Sequence, residues 1–402
     1  MKILFLTSRL PFPPVGGDKL RTFNFIKYLK QKHYLTLMSF IEEQSELECA
    51  AEYQGYYDKL MTVTLPKFVS YKNCLKGLIS SKPLQIHYYY SPRMKSLIKK
   101  ELKNGYDTVF CHLIRMAQYL PVNNGINKVL DLTDAISLNY QRSRRFRRGL
   151  FSMINLIESR RVWNYERAAI GRANVSLFIS DVDANFLLNG HDARKIKVVP
   201  NGVDLAKFQF HCNGYDENTI AFVGNMRTFP NSDAVKYFVV RVLPLLKWFR
   251  PELKFYVVGN EPTIEVLRLH DGKHIFVTGY VDSVIPYLQR SVVMAAPMRA
   301  GAGIQNKILE AMAVGTPVVT TSIGVEGLDR DVIKVADTPE EMCQHIVALI
   351  KDKEARRKKS IQARKYIEAN FTWEKNLKNL DECLFNGHSV RSKYLTGNKM
   401  EG

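Results

Sequence analysis

The chain is short of cysteine and of acidic residues, and it lacks any long apolar run. Its six cysteines (Cys49, Cys74, Cys111, Cys212, Cys343, Cys383) stand far apart in 402 residues, with no C-x-x-C pair. That spacing argues against a zinc site and against a disulfide framework, and a reducing cytoplasm is the expected compartment. No apolar run approaches the roughly 18–20 residues that span a bilayer. The opening "MKILFLTSRLPFPP" has neither a long apolar core nor a small-residue cleavage site, so it reads as a first strand and not as a signal peptide. One D-x-D occurs in a suggestive place, "DVD" at 181–183. It follows the apolar "LFIS" and is expected to cap the next helix and not to hold a metal. The acidic deficit is large: 39 Asp and Glu against 58 Lys and Arg leave a formal charge of +19. Nucleic acid, an anionic membrane surface and an acidic substrate are the partner classes this charge admits.

What is present is alternation. "KILFLT", "YLTLMSF", "YDTVFCH", "KVLDLTD", "VSLFIS" and "KIKVV" are strand-like runs separated by helical segments, and "TIAFVGNM", "KFYVVGN", "IFVTGYV", "VVMAAP" and "PVVTT" repeat the pattern. This alternation predicts an α/β chain of two Rossmann-like, doubly wound parallel sheets. The boundary is placed near 205, giving domains 1–205 and 206–375, a C-terminal helix 376–390 packing back toward the first domain, and a disordered tail 391–402. Ligands of such sheets gather at the carboxyl ends of strands, which nominates Gly16, Gly17, His112 and Asp134. Each has a plainer reading: a turn for the glycines, a satisfied strand-end residue for His112, a helix N-cap for Asp134.

The stretch "RAGAGIQNKILEAMAVGTPVVTT" (299–321) carries the sharpest local signal. Gly301 and Gly303 permit backbone conformations that other residues resist. A helix is expected from Gln305 to Val314, capped by Gly315 and ended by Pro317. A glycine loop feeding a helix N-terminus suits an anion, because free N–H groups and the helix dipole both face it. Lys307 and Glu310 are three apart and share a face, suited to a ligand carrying phosphate and hydroxyl groups; the alternative is a surface salt bridge. A second feature is basic: residues 142–172 hold nine arginines against two glutamates. Phe146, Leu150, Ile154 and Ile157 there have helical spacing and are expected to face the core, leaving Arg142, Arg144, Arg145, Arg147 and Arg148 for solvent or anionic lipid.

Taken together, Gly16-Gly17 after the first strand, "VVPNGVD" at the junction, "FVGNM…PN", "VTGYV" and the "GAGIQNKILEAMAVGTPVV" block resemble the GT-B glycosyltransferases. The nearest group is family 4 of the retaining enzymes, and "LFLTSRLPFPPVGGDKLRTFNFIKYL" is similar to bacterial transferases that build exopolysaccharide and O-antigen. The resemblance covers about residues 1–385 and implies a hexosyl transfer from a nucleotide-diphosphate sugar, with retention, to a lipid-linked glycan acceptor. It implies catalytic roles for His112, Lys307 and Arg227, and a donor site of Gly16, Gly17, Asn225, Tyr280, Val281, Arg299, Gly301, Ala302, Gly303, Ile304 and Glu310. Glu310 would bind the ribose, Lys307 the diphosphate, and Asp134 the acceptor. Two positions depart from the family pattern. Its first glutamate is Ala302, so backbone N–H groups of 302–304 would hold the sugar. Its usual Arg and Lys fall on Asn225 and Asn231, leaving Arg227 or Arg299 to supply charge. No metal and no cofactor beyond the donor are implied, since fixed cations and helix N–H groups stabilise the leaving diphosphate. The implied location is cytoplasmic, at the inner face of the plasma membrane through helix 142–172. A sugar-nucleotide 2-epimerase of the same fold and a non-enzymatic basic nucleic-acid-binding protein are the alternatives. No nucleic-acid motif is present, so nucleic acid is not the expected partner.

Overall fold

The computed structural model describes residues 1–122, 125–146, 150–188 and 190–385, with the side chains of 150–153 and 385 excepted. Arg147, Arg148 and the tail expected from 391 therefore lie outside the described residues, as does the end of the expected helix 376–390.

Seven strands form the first sheet: β1 (Lys2–Thr7), β2 (Tyr34–Ile41), β3 (Lys59–Thr64), β4 (Thr108–His112), β5 (Asn127–Thr133), β6 (Val175–Phe178) and β7 (Ile196–Val198). Their order is β3-β2-β1-β4-β5-β6-β7, and every pairing is parallel. The second sheet holds β8 (Asp216–Val223), β9 (Lys254–Val258), β10 (Ile275–Gly279), β11 (Ser291–Ala296), β12 (Val318–Thr320) and β13 (Lys334–Val335), ordered β10-β9-β8-β11-β12-β13 and again parallel throughout. Parallel strands covered on both faces read as continuous apolar runs, which is why "KILFLT" and "VVMAA" carry almost no polar side chain. Two strands differ from the sequence reading. β3 was not anticipated because it is a half-buried edge strand beginning at Lys59, and β13 has only two residues.

Helices used below are α1 (Gly17–Lys30), α2 (Lys67–Gly77), α3 (Ile136–Arg144), α4 (Leu150–Arg172), α5 (Asp181–Leu188), α6 (Asn306–Val314) and α7 (Trp373–Phe385). α7 returns to the first domain: Trp373, Leu377, Leu380 and Leu384 are buried with Phe25, Leu29, Phe110 and Val129 of that core. The amide of Asn127 donates to the carbonyls of Cys383 and Leu384 at 3.3 and 2.9 Å. Where the chain crosses between domains, a Cβ on Gly202 would lie 2.2 Å from the Trp373 nitrogen, so only glycine fits that crossing.

Two expectations need correction. The stripe Phe146, Ile154, Ile157 does not face the core: these side chains are 37, 41 and 51% exposed, and the Leu150 side chain is outside the described residues. The inward face of α4 runs instead through Asn155, Glu158, Val162, Glu166 and Ala169. Glu158 is inward because it accepts from the Leu84 N–H at 2.9 Å and from Arg161 at 3.0 Å. As for "DVD", the Ser180 hydroxyl accepts from the Asp183 N–H and so caps α5, while the Asp183 carboxylate accepts from the Ala135 N–H at 2.9 Å. The aspartate ties the loop after β5 to α5. Among the described residues no helix is long and apolar enough to cross a membrane, and no group of three His, Cys, Asp or Glu could hold a metal ion.

Candidate active site

The carboxyl ends of β4 and β5 form one wall of the cleft between the sheets. His112 ends β4 and pairs in register with Asp131 of β5. Both side chains are buried, and the His112 Nδ1 lies 2.8 Å from the Asp131 Oδ2. Asp131 is also gripped by Arg21 of α1, whose Nε donates to Oδ2 at 2.9 Å and whose Nη2 donates to Oδ1 at 2.8 Å. The remaining Arg21 nitrogen donates to the Val199 carbonyl and to the Asn201 Oδ1, both at 2.8 Å. Its guanidinium lies over the Phe25 ring, 4.5 Å from the centroid. Burial alone would raise the Asp131 carboxyl, but Arg21 and His112 outweigh it and hold the group well below the usual carboxylate range. An ionised Asp131 can only accept, so His112 Nδ1 carries the proton of this hydrogen bond. The His112 Nε2 is buried and has no partner among the described residues.

The other wall is the 301–310 segment. Gly303 packs so tightly that a Cβ there would lie 2.4 Å from Ile179 Cδ1 and 3.3 Å from Asp134 Cβ. Asp134 thus sits directly beneath the loop. Burial and the neighbouring Asp183 raise its carboxyl to about 7. A Cβ on Gly17 would meet the Asn306 Nδ2 at 3.4 Å, so the Gly16-Gly17 loop stands beside the first residue of α6. The Asn201 Nδ2 donates to the Asn306 Oδ1 at 2.9 Å, which links the two walls. A further link is Arg142, which donates to the Gly301 carbonyl at 2.9 Å and to both Glu326 oxygens at 2.7 Å. This arginine, expected on a solvated or lipid-facing surface, is therefore engaged at the cleft.

Lys307 donates to the Asn231 Oδ1 at 2.5 Å and to the Gln305 Oε1 at 3.3 Å, with the Phe222 ring 5.3 Å from its nitrogen. Burial lowers its ammonium to about 8, against the pull of Glu310. Burial raises the Glu310 carboxyl to about 7, against Lys207 and Lys307. Among the described residues neither side chain forms an ion pair, so the surface salt-bridge alternative is not what this helix builds. Both side chains are half-buried, and each is attracted by the other without closing into an ion pair.

Several expected site residues are placed elsewhere or already engaged. Arg299 ion-pairs with Asp233 at 2.6 Å and lies over the Phe146 and Tyr237 rings, so its charge is already engaged in this structure. Arg227 is largely exposed, pairing loosely with Glu261 at 3.3 Å, and Asn225 donates to the same glutamate. Asn231 serves as the partner of Lys307. Ala302 offers a carbonyl to the Gln305 amide, and Ile304 is buried against the second core. Tyr280 is 64% exposed at the end of β10, and Val281 packs against the second core. Arg21, Asp131, Asn201 and Asn306 were not singled out. Their signal was a charged residue inside an apolar pattern: Arg21 among buried Thr22, Phe25 and Ile26, and Asp131 between Leu130 and Leu132.

The fold coincides with that of known proteins. The fold is GT-B. Residues 217–352 match the family model described as Glycosyl transferases group 1. A crystal structure of TarM superposes with a TM-score of 0.69 at 12% identity, covering 96% of this chain and 98% of that one. Anabaena HepE in complex with UDP superposes with a TM-score of 0.67 at 16% identity, covering 96% and 100%. An uncharacterized 44.6 kDa protein in the cps region of Klebsiella pneumoniae is 22% identical over 93% of this chain and 97% of its own length.

Proposed function

We propose that this GT-B chain transfers a sugar from a nucleotide-diphosphate sugar to a glycan acceptor in surface-polysaccharide synthesis. The observation that carries this reading is the Lys307–Glu310 pair, which closes no ion pair among the described residues and lies on the helix whose first residue, Asn306, stands beside Gly17. A ligand that brings a diphosphate for the lysine and ribose hydroxyls for the glutamate satisfies both. The group 1 match over 217–352, the UDP held by HepE and the cps-region relative support the same reading.

The chemistry follows from the two walls. The bond between the anomeric carbon and the diphosphate oxygen breaks, and a bond to the acceptor oxygen forms. Lys307 and the N–H groups of 302–304 stabilise the departing diphosphate, supplying fixed charge where other transferases use a metal. His112, oriented by Asp131, offers Nε2 to a sugar hydroxyl near the reacting carbon. Retention requires attack on the face from which the diphosphate leaves, with the acceptor proton passing to the leaving phosphate. Asp134, beneath the 301–304 loop, holds the acceptor. The acceptor is lipid-linked in this reading.

The test is turnover of UDP-, GDP-, ADP- and dTDP-sugars with a lipid-linked oligosaccharide. Acceptor-dependent release of nucleoside diphosphate, with an unchanged anomeric configuration in the product, is expected. An inverted product rules out retention. Release of nucleotide without any acceptor points to a 2-epimerase, and absence of both binding and turnover ends the enzyme reading.

A further inference from the structure

We infer that α2, the turn after it and one face of α4 form a surface that seats on an anionic lipid bilayer. Between residues 67 and 100 the chain carries eight Lys and Arg and no Asp or Glu. Within that basic stretch the apolar side chains point outward: Phe68 is 72% exposed, Tyr71 61%, Leu75 69% and Ile79 97%. Their spacing of three and four puts Phe68, Tyr71 and Leu75 on one face of α2. The inward face is made of small residues. Ser70 and Gly77 are buried, and a Cβ on Gly77 would lie 2.5 Å from the His87 ring. A helix whose small face packs inward and whose aromatic and leucine face is bare has the polarity of an interfacial helix.

The bare surface continues onto α4. Arg161 donates to the Leu78 carbonyl at 2.8 Å, which fixes the end of α2 against that helix. One and two turns before Arg161 stand the exposed Ile157 and Ile154. The apolar area therefore spans two elements that are tied together. Lys72, Lys76 and Lys82 surround it, all exposed, with Arg160 beside it on α4. The charge selects the occupant: a second copy of this chain would set two such basic rims against each other, whereas an anionic headgroup layer neutralises them while the aromatic and leucine tips enter the acyl boundary. The surface is distinct from Arg142, which is engaged at the cleft. It deepens the proposed reading, resting on it only for the purpose of docking, which is to bring the cleft to a lipid-linked glycan.

The experiment is co-sedimentation of the full chain with phosphatidylcholine vesicles and with vesicles containing phosphatidylglycerol. The variants are Phe68→Ser/Leu75→Ser/Ile79→Ser, Lys72→Ala/Lys76→Ala and, as a control, Arg144→Ala/Arg145→Ala. All these positions are exposed, and unchanged thermal melting checks the fold. The wild type is expected to sediment with the anionic vesicles only, and less so as salt rises. Each lysine removed costs about fivefold in partitioning, so the double lysine variant loses about thirtyfold. The apolar triple variant stays in the supernatant, and the arginine control loses less than the lysine pair. A wild type that ignores anionic vesicles overturns the inference, as does a triple variant that binds equally. Self-association or nucleic-acid binding abolished by the same triple change, without vesicle binding, also overturns it. Calorimetry with nucleotide sugars on the same preparations separates the two readings: vesicle binding without donor binding sinks only the transferase, and the reverse sinks only this surface.

Discussion

The two walls of the cleft handle charge in opposite ways. On the first wall Arg21, Asp131 and His112 are buried and close on one another, with Asn201 and the Val199 carbonyl taking the remaining arginine donors. On the second wall Lys307 and Glu310 are half-buried and have no ion pair among the described residues. A closed network fixes a side chain in one orientation, whereas a cation and a carboxylate that close no ion pair leave room for a ligand of matching charge. In the proposed reading the first wall is a rigid platform and the second a receptor.

The largest expected effect breaks the platform. Asp131→Ala leaves the Arg21 guanidinium buried without its counter-charge, and loss of one partner of a buried pair costs about 3–5 kcal/mol. Urea denaturation of this variant checks the figure, and the double variant Arg21→Met/Asp131→Leu is expected to be more stable than Asp131→Ala alone. A loss below about 1 kcal/mol for the single change would show that the network does not hold the wall together.

Next in size is the pH dependence of the receptor. Glu310 must be ionised to accept from ribose hydroxyls, and its carboxyl is raised to about 7; Lys307 must be protonated, and its ammonium is lowered to about 8. Donor affinity should rise as pH climbs through about 7 and fall again above about 8. The same shifts bear on folding with a definite sign. A native carboxyl that keeps its proton to a higher pH than the unfolded chain makes stability fall as pH rises from its unfolded value toward about 7. Calorimetric titration between mildly acidic and alkaline pH reads the first effect, and a flat profile would count against Glu310 as the hydroxyl acceptor.

Smaller effects sharpen the link between the walls. Arg142→Ala removes a partly exposed bidentate pair with Glu326 and a bond to the Gly301 carbonyl, at a cost of about 1 kcal/mol. It is expected to raise the KM for the donor severalfold with little change in kcat. The smallest effect is Arg227→Ala. Its pair with Glu261 is solvated, so donor binding should change by less than about twofold. A tenfold loss would return Arg227 to the catalytic set.

How much of this was legible in the sequence depends on locality. The alternation of apolar strands and helices exposes both sheets except β3, an edge strand starting at a lysine, and the two-residue β13. The 301–310 segment is legible because loop, lysine and glutamate lie within ten residues of one another. The Arg21–Asp131–His112 network is not, since its members sit on three elements and are joined only by the order of β1, β4 and β5 in the sheet. Helix α4 shows the limit of periodicity. The apolar spacing points to Ile154 and Ile157 as its inward face, yet Asn155 and Glu158 are the buried residues, and Glu158 accepts from the Leu84 N–H. Arg299 looked like a free cation in its loop and is paired with Asp233, far away in sequence.

The central claim is that Lys307 and Glu310 exist for a ligand and not for the fold. One measurement tests it directly: thermal melting of wild type, Lys307→Ala and Glu310→Ala, with and without a panel of nucleotide-diphosphate sugars. Without ligand the variants should melt at or above the wild-type temperature, because burial disfavours the charged form of each side chain more than the attraction between them favours it. One donor class should stabilise the wild type and neither variant. Variants that melt well below the wild type, or that are stabilised by the donor as much as it is, would contradict the claim.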